Sequence, residues 1–280
     1  MFGQILTTVV TMTKIAIFLL NLVRKCHEEQ VLERAAGLTY RILLAFFPFL
    51  IFLMSLLGFT YLDTSAILAP IYYVLPGDVS DLVSDFLQRL EQTRSRGLLS
   101  AGLFFSVYNS ANGFRAIIRN ANAAFDTRDD RGIVRQVALS LAMTLIFALV
   151  IVVMLVLLVL GRHIWEIFIP DDLENLFLPI STAGALVVMA FATMLIYKLA
   201  LAKKLRLRQV LPGAVFTVVA WAVSSGVFGF AISNFTQYPA IYGSIAGVFI
   251  LILWLNLISL ILLIGNEINA LLVTMYTAAE

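Results

Sequence analysis

Charged residues, cysteine and histidine are all scarce in this chain of 280 residues. Asp, Glu, Lys and Arg together make up 13% of the sequence, against about 25% in an average soluble domain. The single cysteine, Cys26, excludes a disulfide within the chain. The two histidines, His27 and His163, are too far apart to give the spacing of a metal site. We therefore expect neither a disulfide framework nor a bound metal.

Sequence motifs of common enzymes are also missing. The chain contains no G-x-S-x-G nucleophile motif, no H-E-x-x-H zinc motif and no phosphate-binding P-loop. Asp129 and Asp130 are adjacent, but they stand among arginines in a predicted loop, and we interpret them as solvated residues with local ion pairs. We accordingly predict that the protein is not an enzyme and has no catalytic residue, no cofactor and no nucleic-acid partner.

Apolar residues dominate the sequence instead. They form 61% of the chain, and the mean hydropathy is +0.97, whereas soluble domains are about 45–50% apolar. A helix needs about 20 apolar residues to cross a hydrocarbon core about 30 Å thick. We predict one integral membrane domain over residues 1–280, an all-α polytopic bundle of six transmembrane helices in the lipid bilayer. The predicted spans are 36–60, 98–120, 137–160, 176–199, 212–233 and 242–272.

Two further helices are predicted beside the membrane. Residues 1–23 separate polar from apolar side chains at helical spacing, which indicates an N-terminal interfacial amphipathic helix. A seventh span is the alternative, and Lys14 at mid-depth weakens it. After the first span, Asp78 can cap an amphipathic extracytoplasmic helix whose apolar positions run from Val79 to Leu90. No cleavable signal pattern is found, so we expect insertion through the first span itself.

Basic residues predict the orientation of the spans. All 19 Lys and Arg residues except Arg89, Arg94, Arg96 and Arg162 fall in three segments. These are the N-terminal segment, the connection between spans two and three, and the connection between spans four and five. Cytoplasmic segments of membrane proteins carry such an excess. We therefore predict that both termini are cytoplasmic.

Small residues and one proline predict where helices bend or approach. Pro48 should kink the first span, because it frees a carbonyl group of the preceding turn. Ala222, Gly226 and Gly229 give the fifth span a small-residue face of the kind that allows close helix packing.

The second span carries a polar stripe. At about 100° per residue, Asn112, Arg115 and Arg119 share one helix face, and Asn109 adjoins it. Polar side chains in a membrane normally face the bundle interior, because lipid offers no hydrogen-bond partner. The stripe is either a structural network that joins helices or the polar lining of a cavity or path.

The sixth span carries a second stripe. Asn256 and Glu267 are eleven residues apart and so about 20° apart around the helix. Asn269 comes two residues after Glu267. We predict that the two stripes face each other and that Glu267 pairs with Arg115 or Arg119; Arg41 is the alternative partner. Near the cytoplasmic face, Glu267 is either half of a salt bridge that fixes packing or a carboxylate coupled to protons or substrate.

Four blocks of the sequence resemble the YihY/BrkB-type inner-membrane family, long mislabelled ribonuclease BN. They are RAAGLTYRILLAFFPFLIFLMSLLG, NSANGFRAIIRNANAAFD, LPGAVFTVVAW and YGSIAGVFILILWLNLISLILLIGNEINA, and the resemblance covers about residues 30–272. Tyr40, the Phe125-Asp126 pair, Trp221, Gly265 and Glu267 are among the matching positions. Arg41 departs from the pattern, where an uncharged residue is expected. The resemblance implies a six-helix bacterial inner-membrane protein with cytoplasmic termini and says little about activity.

These observations favour a transporter, permease or flippase-like protein for a small polar or amphiphilic solute. The substrate would be a small molecule or a lipid. The alternative is a non-transporting membrane scaffold or an envelope-assembly, virulence-associated factor. A membrane-tethered ribonuclease is disfavoured, because two isolated histidines without an acidic cluster do not assemble a metal nuclease centre. The sequence predicts no oligomeric state.

Overall fold

The computed structural model describes residues 16–57, 83–85, 96–147, 149–150, 177–234 and 244–277. Regular secondary structure in these residues is helical throughout, as predicted. We number the main helices in chain order: α1 (16–28), α2 (Val31–Leu57), α3 (Arg96–Ala124), α4 (Ile133–Phe147), α5 (Phe177–Ala200), α6 (Leu207–Asn234) and α7 (Ser244–Thr277).

Helices α2 to α7 occupy the positions of the six predicted spans. Among the described residues, three stretches are long and apolar enough to cross a membrane: Ile180–Ala200, Leu207–Ala231 and Ala246–Met275. Helix α4 is a shorter apolar helix, and the rest of its predicted span, to residue 160, lies outside the described residues except for the helical residues 149–150. The all-α class is thus confirmed for the described chain, while the number of six spans stays a prediction.

The two predicted non-spanning helices are described only in part. Helix α1 covers the end of the 1–23 segment, and Leu19, Leu20 and Val23 on it are exposed. Residues 1–15 lie outside the described residues. Of the helix predicted after Asp78, residues 83–85 form a helical turn, and Val83 is buried in one apolar cluster with Leu50 of α2 and four residues of α7, namely Ile250, Leu251, Trp254 and Leu255.

Helix α7 lies at the centre of the described bundle. It packs against α2 on one side and α6 on the other, and it also touches α3. Helices α2 and α3 form the most extensive contact and run antiparallel, because the chain just before α2 reaches the last residue of α3. Helix α5 packs against α6 and, more narrowly, α3.

One end of the bundle collects the ends of five helices. The start of α2, the ends of α3 and α5, the start of α6 and the C-terminal part of α7 are joined there by hydrogen bonds described below. We call this the Lys25 end, after the lysine at its centre. Helix starts and helix ends alternate at this end in the order expected for six helices that cross a membrane one after another.

Helices α6 and α7 cross at two glycines. A Cβ atom added to Gly213 would collide with the carbonyl oxygen of Gly265, and one added to Gly265 would collide with the side chains of Thr217 and Tyr197. At Gly226 and Gly229 an added Cβ meets no described atom within 4 Å. Among the described residues, the close approach on α6 is therefore at Gly213, and none is seen at the predicted positions Gly226 and Gly229.

Candidate functional site at the Lys25 end

Glu267 is the buried carboxylate of the bundle centre. Its side chain is 3% exposed, and its Oε2 atom lies 3.6 Å from Nζ of Lys25. The same ammonium group donates a hydrogen bond of 2.6 Å to the carbonyl oxygen of Ala124 at the end of α3. A cation is favourable there, because the C-terminus of a helix carries partial negative charge. Lys25 thus connects α1, α3 and α7 through one charged group.

The predicted partners of Glu267 are wrong. Its ion pair is with Lys25, and neither Arg115, Arg119 nor the alternative Arg41 forms an ion pair with it in the described chain. The helical spacing predicts which side chains share a face of α3. It does not predict the rotation of α3 about its own axis, and this rotation decides which face points toward α7. In the structure Arg119 is exposed, and α3 turns its buried small residues toward α7 instead.

Two buried asparagines flank Glu267 on α7. Asn266 donates a hydrogen bond of 3.4 Å to the carbonyl oxygen of Ala121, and Asn269 accepts one of 2.7 Å from the backbone N–H of Gly213. Three atoms of this short stretch have no hydrogen-bond partner within the described chain: Asn266 Oδ1, Glu267 Oε2 and Asn269 Nδ2. Leaving a buried polar atom unsatisfied costs about 1–3 kcal/mol. The ion pair with Lys25 offsets part of this cost for Glu267, whereas the two asparagine atoms have no such compensation within the described chain.

Tyr197 connects α5 to the glycine crossing. Its hydroxyl group donates a hydrogen bond of 2.6 Å to the carbonyl oxygen of Leu262 and lies 2.7 Å from Thr217 Oγ1. Thr217 in turn lies 2.8 Å from the carbonyl oxygen of Gly213. Tyr197 is fully buried, so this small network holds α5, α6 and α7 in one fixed arrangement.

Asn122 and the loop after α3 cap the end of α5. Asn122 donates a hydrogen bond of 3.0 Å to the carbonyl oxygen of Ala200 and accepts one of 2.8 Å from the N–H of Ala202. Arg131 donates to the same Ala200 oxygen at 2.8 Å. Asp129 binds Arg131 through both carboxylate oxygens, and this guanidinium group lowers the pKa of Asp129. The local ion pair predicted for this loop is confirmed, but Asp129 is not solvated as predicted: its side chain is 14% exposed, and the pair closes a helix end.

The predicted polar stripe of α3 is only partly a network. Arg115 donates to Asn112 one turn away, and Asn109 donates within its own helix to the carbonyl oxygen of Phe105 at 2.9 Å. Asn256 of the second stripe is half-buried on α7. No hydrogen bond or ion pair between described residues joins the two stripes. A functional role for Asn109, Asn112, Arg115, Arg119, Asn256, Glu267 and Asn269 stays a prediction.

Several contributors to the site escaped the sequence analysis. Lys25, Asn122, Arg131, Tyr197 and Thr217 all bond groups on other elements, and no periodic pattern marks them. Lys25 is separated from Glu267 by most of the chain, so spacing could not connect the two. Among the described residues no group of three or more His, Cys, Asp or Glu side chains could hold a metal ion.

Cys26 is a natural reporter of the charge at this site. The pKa of its thiol is raised to about 11, first by burial and then by the negative charge of Glu267, while the positive charge of Lys25 acts in the opposite direction. The reactive species toward maleimides is the thiolate. The chain has no other cysteine, so labelling of the unmodified protein reports on this position alone.

We expect Glu267→Gln to speed the reaction of Cys26 with N-ethylmaleimide and Lys25→Met to slow it. Removing the negative charge lowers the thiol pKa, and removing the positive charge raises it; each change in rate should be roughly two- to fivefold, because nucleophilicity partly offsets thiolate fraction. The measurement is the labelling rate between pH 7.5 and 9.5. Glu28→Gln, in an exposed pair with Arg24, is the control. Rates that rise in both variants would show loosened packing instead of an electrostatic effect.

The sequence is similar to that of known membrane proteins. A family model described as Virulence factor BrkB matches residues 22–280. A Bacillus subtilis protein named YfkH and described as ribonuclease-like is 35% identical over 253 residues, which are 88% of this chain and 90% of the relative. A UPF0761 membrane protein of Alteromonas mediterranea is 26% identical over 262 residues, covering 88% of this chain and 84% of the relative. No solved structure matches. The chain therefore belongs to the BrkB family, and it is a membrane protein of that family.

Proposed function

We propose that this chain is a transporter or flippase-like permease of the bacterial inner membrane, with six spans and cytoplasmic termini, that moves a small polar or amphiphilic solute. The observation that supports the proposal is the buried polar cluster of Asn266, Glu267 and Asn269, in which two asparagine atoms have no hydrogen-bond partner within the described chain and Glu267 is held only by a long ion pair with Lys25. A protein that only needed stability would fill this place with apolar side chains, since well-packed hydrophobic residues often replace buried charges without loss.

The Lys25–Glu267 pair could allow the protein to change between two conformations, one with the ion pair formed and one with it broken. At 3.6 Å the pair is longer than a tight charge-assisted hydrogen bond of about 2.7–2.9 Å. A proton on Glu267, or a polar solute that binds it, would compete with Lys25 for the carboxylate. Release of Lys25 would also free the end of α3 at Ala124, so one local event would loosen the contacts among α1, α3 and α7.

A reconstitution experiment tests this proposal. Purified protein in liposomes is assayed for the movement of NBD-labelled phosphatidylglycerol and phosphatidylethanolamine by dithionite quenching, and for proton entry by internal pyranine. We expect wild-type protein to move at least one of these species and Glu267→Gln to reduce the rate at least tenfold. Glu28→Gln, an exposed carboxylate on α1, should keep the wild-type rate. Protein that moves neither lipid nor protons contradicts a flippase and a proton-coupled permease.

A scaffold is the second candidate, and the dense crossing of α6 and α7 favours it. The Gly213–Gly265 contact and the Tyr197 network leave no space between these helices. A scaffold role, or an envelope-assembly role that fits the family's description as a virulence factor, predicts that Glu267→Gln lowers protein abundance in cells without any flux defect. The Bacillus subtilis relative is described as ribonuclease-like. Whether this chain cleaves RNA is tested by assaying RNA cleavage across the fractions of the final purification step.

A further inference from the structure

Three arginines lie near one another on the α2–α3 pair; Arg119 is exposed, and Arg41 and Arg115 are half-buried. Arg41 follows the start of α2 by ten residues, and Arg115 precedes the end of α3 by nine. Because the two helices are antiparallel, both lie about 14–15 Å from the Lys25 end at 1.5 Å per residue. Arg119 lies one turn closer to that end. Arg41 and Arg115 are charged neighbours of Arg119, and both are cations.

No described carboxylate neutralises these three guanidinium groups. The ion pairs of the described residues use other cations, namely Arg24, Lys25, Arg34 and Arg131. Helix α3 contains no Asp or Glu at all, and the only one in α2 is Glu33, two turns away from Arg41. Each guanidinium group has five N–H donors, and in Arg115 one goes to Asn112. Among the described residues, most N–H donors of these three groups therefore have no hydrogen-bond partner and are available to an anion.

The same face of α3 continues as an aromatic stripe. Phe104 and Tyr108 fall within about 60° of Arg115 and Arg119 around the helix axis. Both rings are exposed, and they stack on each other with their centroids 6.4 Å apart. Tyr40, next to Arg41 on α2, is exposed as well. The surface therefore changes from aromatic to cationic along about 22 Å of one helix.

The predicted membrane position fits this polarity. The second span is predicted to end at residue 120, which places Arg119 at the interface and Arg115 one turn inside, while Phe104 and Tyr108 lie deeper. Guanidinium groups bind phosphate through paired hydrogen bonds. A ligand that matches both parts carries a phosphate at one end and a hydrocarbon chain at the other.

We propose that Arg41, Arg115 and Arg119 form a binding site for the phosphate group of an anionic amphiphile, whose chain lies along Tyr108 and Phe104. The site goes beyond the proposed transport, since a lipid can be held there by a permease or by a scaffold. The same phosphate chemistry could come from a soluble phosphate ester, and the ligand panel separates the two sources.

Native mass spectrometry of the detergent-purified protein tests the site with four probes: dioleoyl phosphatidic acid, dioleoylglycerol, glycerol 3-phosphate and inorganic phosphate. We expect phosphatidic acid to bind and dioleoylglycerol, which lacks only the phosphate, to bind at least tenfold more weakly. The two chain-free phosphates should also bind at least tenfold more weakly. Equal binding of glycerol 3-phosphate and phosphatidic acid would overturn the amphiphile and assign the site to a soluble anion.

Matched variants locate the binding. Arg115→Gln with Arg119→Gln should weaken phosphatidic acid binding at least tenfold, and Arg128→Gln with Arg135→Gln, which removes the same charge from exposed positions beyond α3, should leave it unchanged. Tyr108→Ser should weaken phosphatidic acid but not inorganic phosphate. Elution of each variant as a single species on size exclusion establishes that it is folded. Folded Arg115→Gln/Arg119→Gln protein that binds like the wild type would overturn the proposal, whatever the transport assay gives.

Discussion

Gly265→Ala is expected to lower the thermal unfolding midpoint of the detergent-solubilised protein sharply. The added methyl group would meet the backbone of α6 at the Gly213 carbonyl oxygen, 2.8 Å away, as well as the side chains of Tyr197 and Thr217. A backbone atom cannot rotate out of the way, so α6 and α7 must separate and the Tyr197 network must open. Overpacking of this kind costs about 1–3 kcal/mol, occasionally more.

Gly226→Ala on α6 is the matched control. An added Cβ there meets no described atom within 4 Å, and replacing a helical glycine with alanine favours the helix by about 1 kcal/mol. The two variants make the same chemical change in neighbouring helices and should shift the midpoint in opposite directions. Equal midpoints for the two would show that the crossing of α6 and α7 is looser than the structure has it.

Lys25→Met is expected to destabilise the protein, and adding Glu267→Gln should recover most of the loss. Without Lys25 the carboxylate of Glu267 stays buried and uncompensated, which costs about 3–5 kcal/mol in a fully buried pair and less here, because Lys25 is 18% exposed. Glutamine keeps the shape of the side chain and removes the charge. Thermal midpoints of the wild type, both single variants and the double variant complete the cycle.

Arg24→Met serves as the comparison for this cycle. Its partner Glu28 and Arg24 itself are largely exposed, at 60% and 76%, and such pairs contribute about 0–1 kcal/mol. Additive effects of Lys25→Met and Glu267→Gln would mean that the two groups are not coupled, and the mechanism proposed for releasing α3 would lose its basis.

The sequence predicted the helices better than their contacts. Long apolar runs located α5, α6 and α7 within a few residues, since span length is set by the bilayer. The sequence marked Glu267 as an unusual carboxylate, because few acidic residues occur in apolar helices, and the structure shows that its side chain is buried. Its partner was missed, because Lys25 belongs to another helix and tertiary packing decides which faces meet.

Glycines show the same limit. Gly226 and Gly229 have the spacing of a packing face, yet a Cβ atom added to either one meets no described atom within 4 Å. The close contact between α6 and α7 is instead formed by Gly213 and Gly265. Spacing within one helix describes a surface, and only the arrangement of the neighbouring helices decides which surface is used. The arginine stripe of α3 was likewise visible as a face, but its outward orientation and the nearness of Arg41 required the structure.

Many of the bonds that join helices at the Lys25 end run from a side chain to a main-chain atom. Lys25, Asn122 and Arg131 bind the carbonyl oxygens of Ala124 and Ala200, and Asn269 binds the N–H of Gly213. A main-chain acceptor survives substitution of its own side chain, so Ala124 and Ala200 can change during evolution without loss of the bond. Across the BrkB family we therefore expect these interhelical contacts to leave little pairwise covariation, and contact maps inferred from covariation should underweight this end of the bundle.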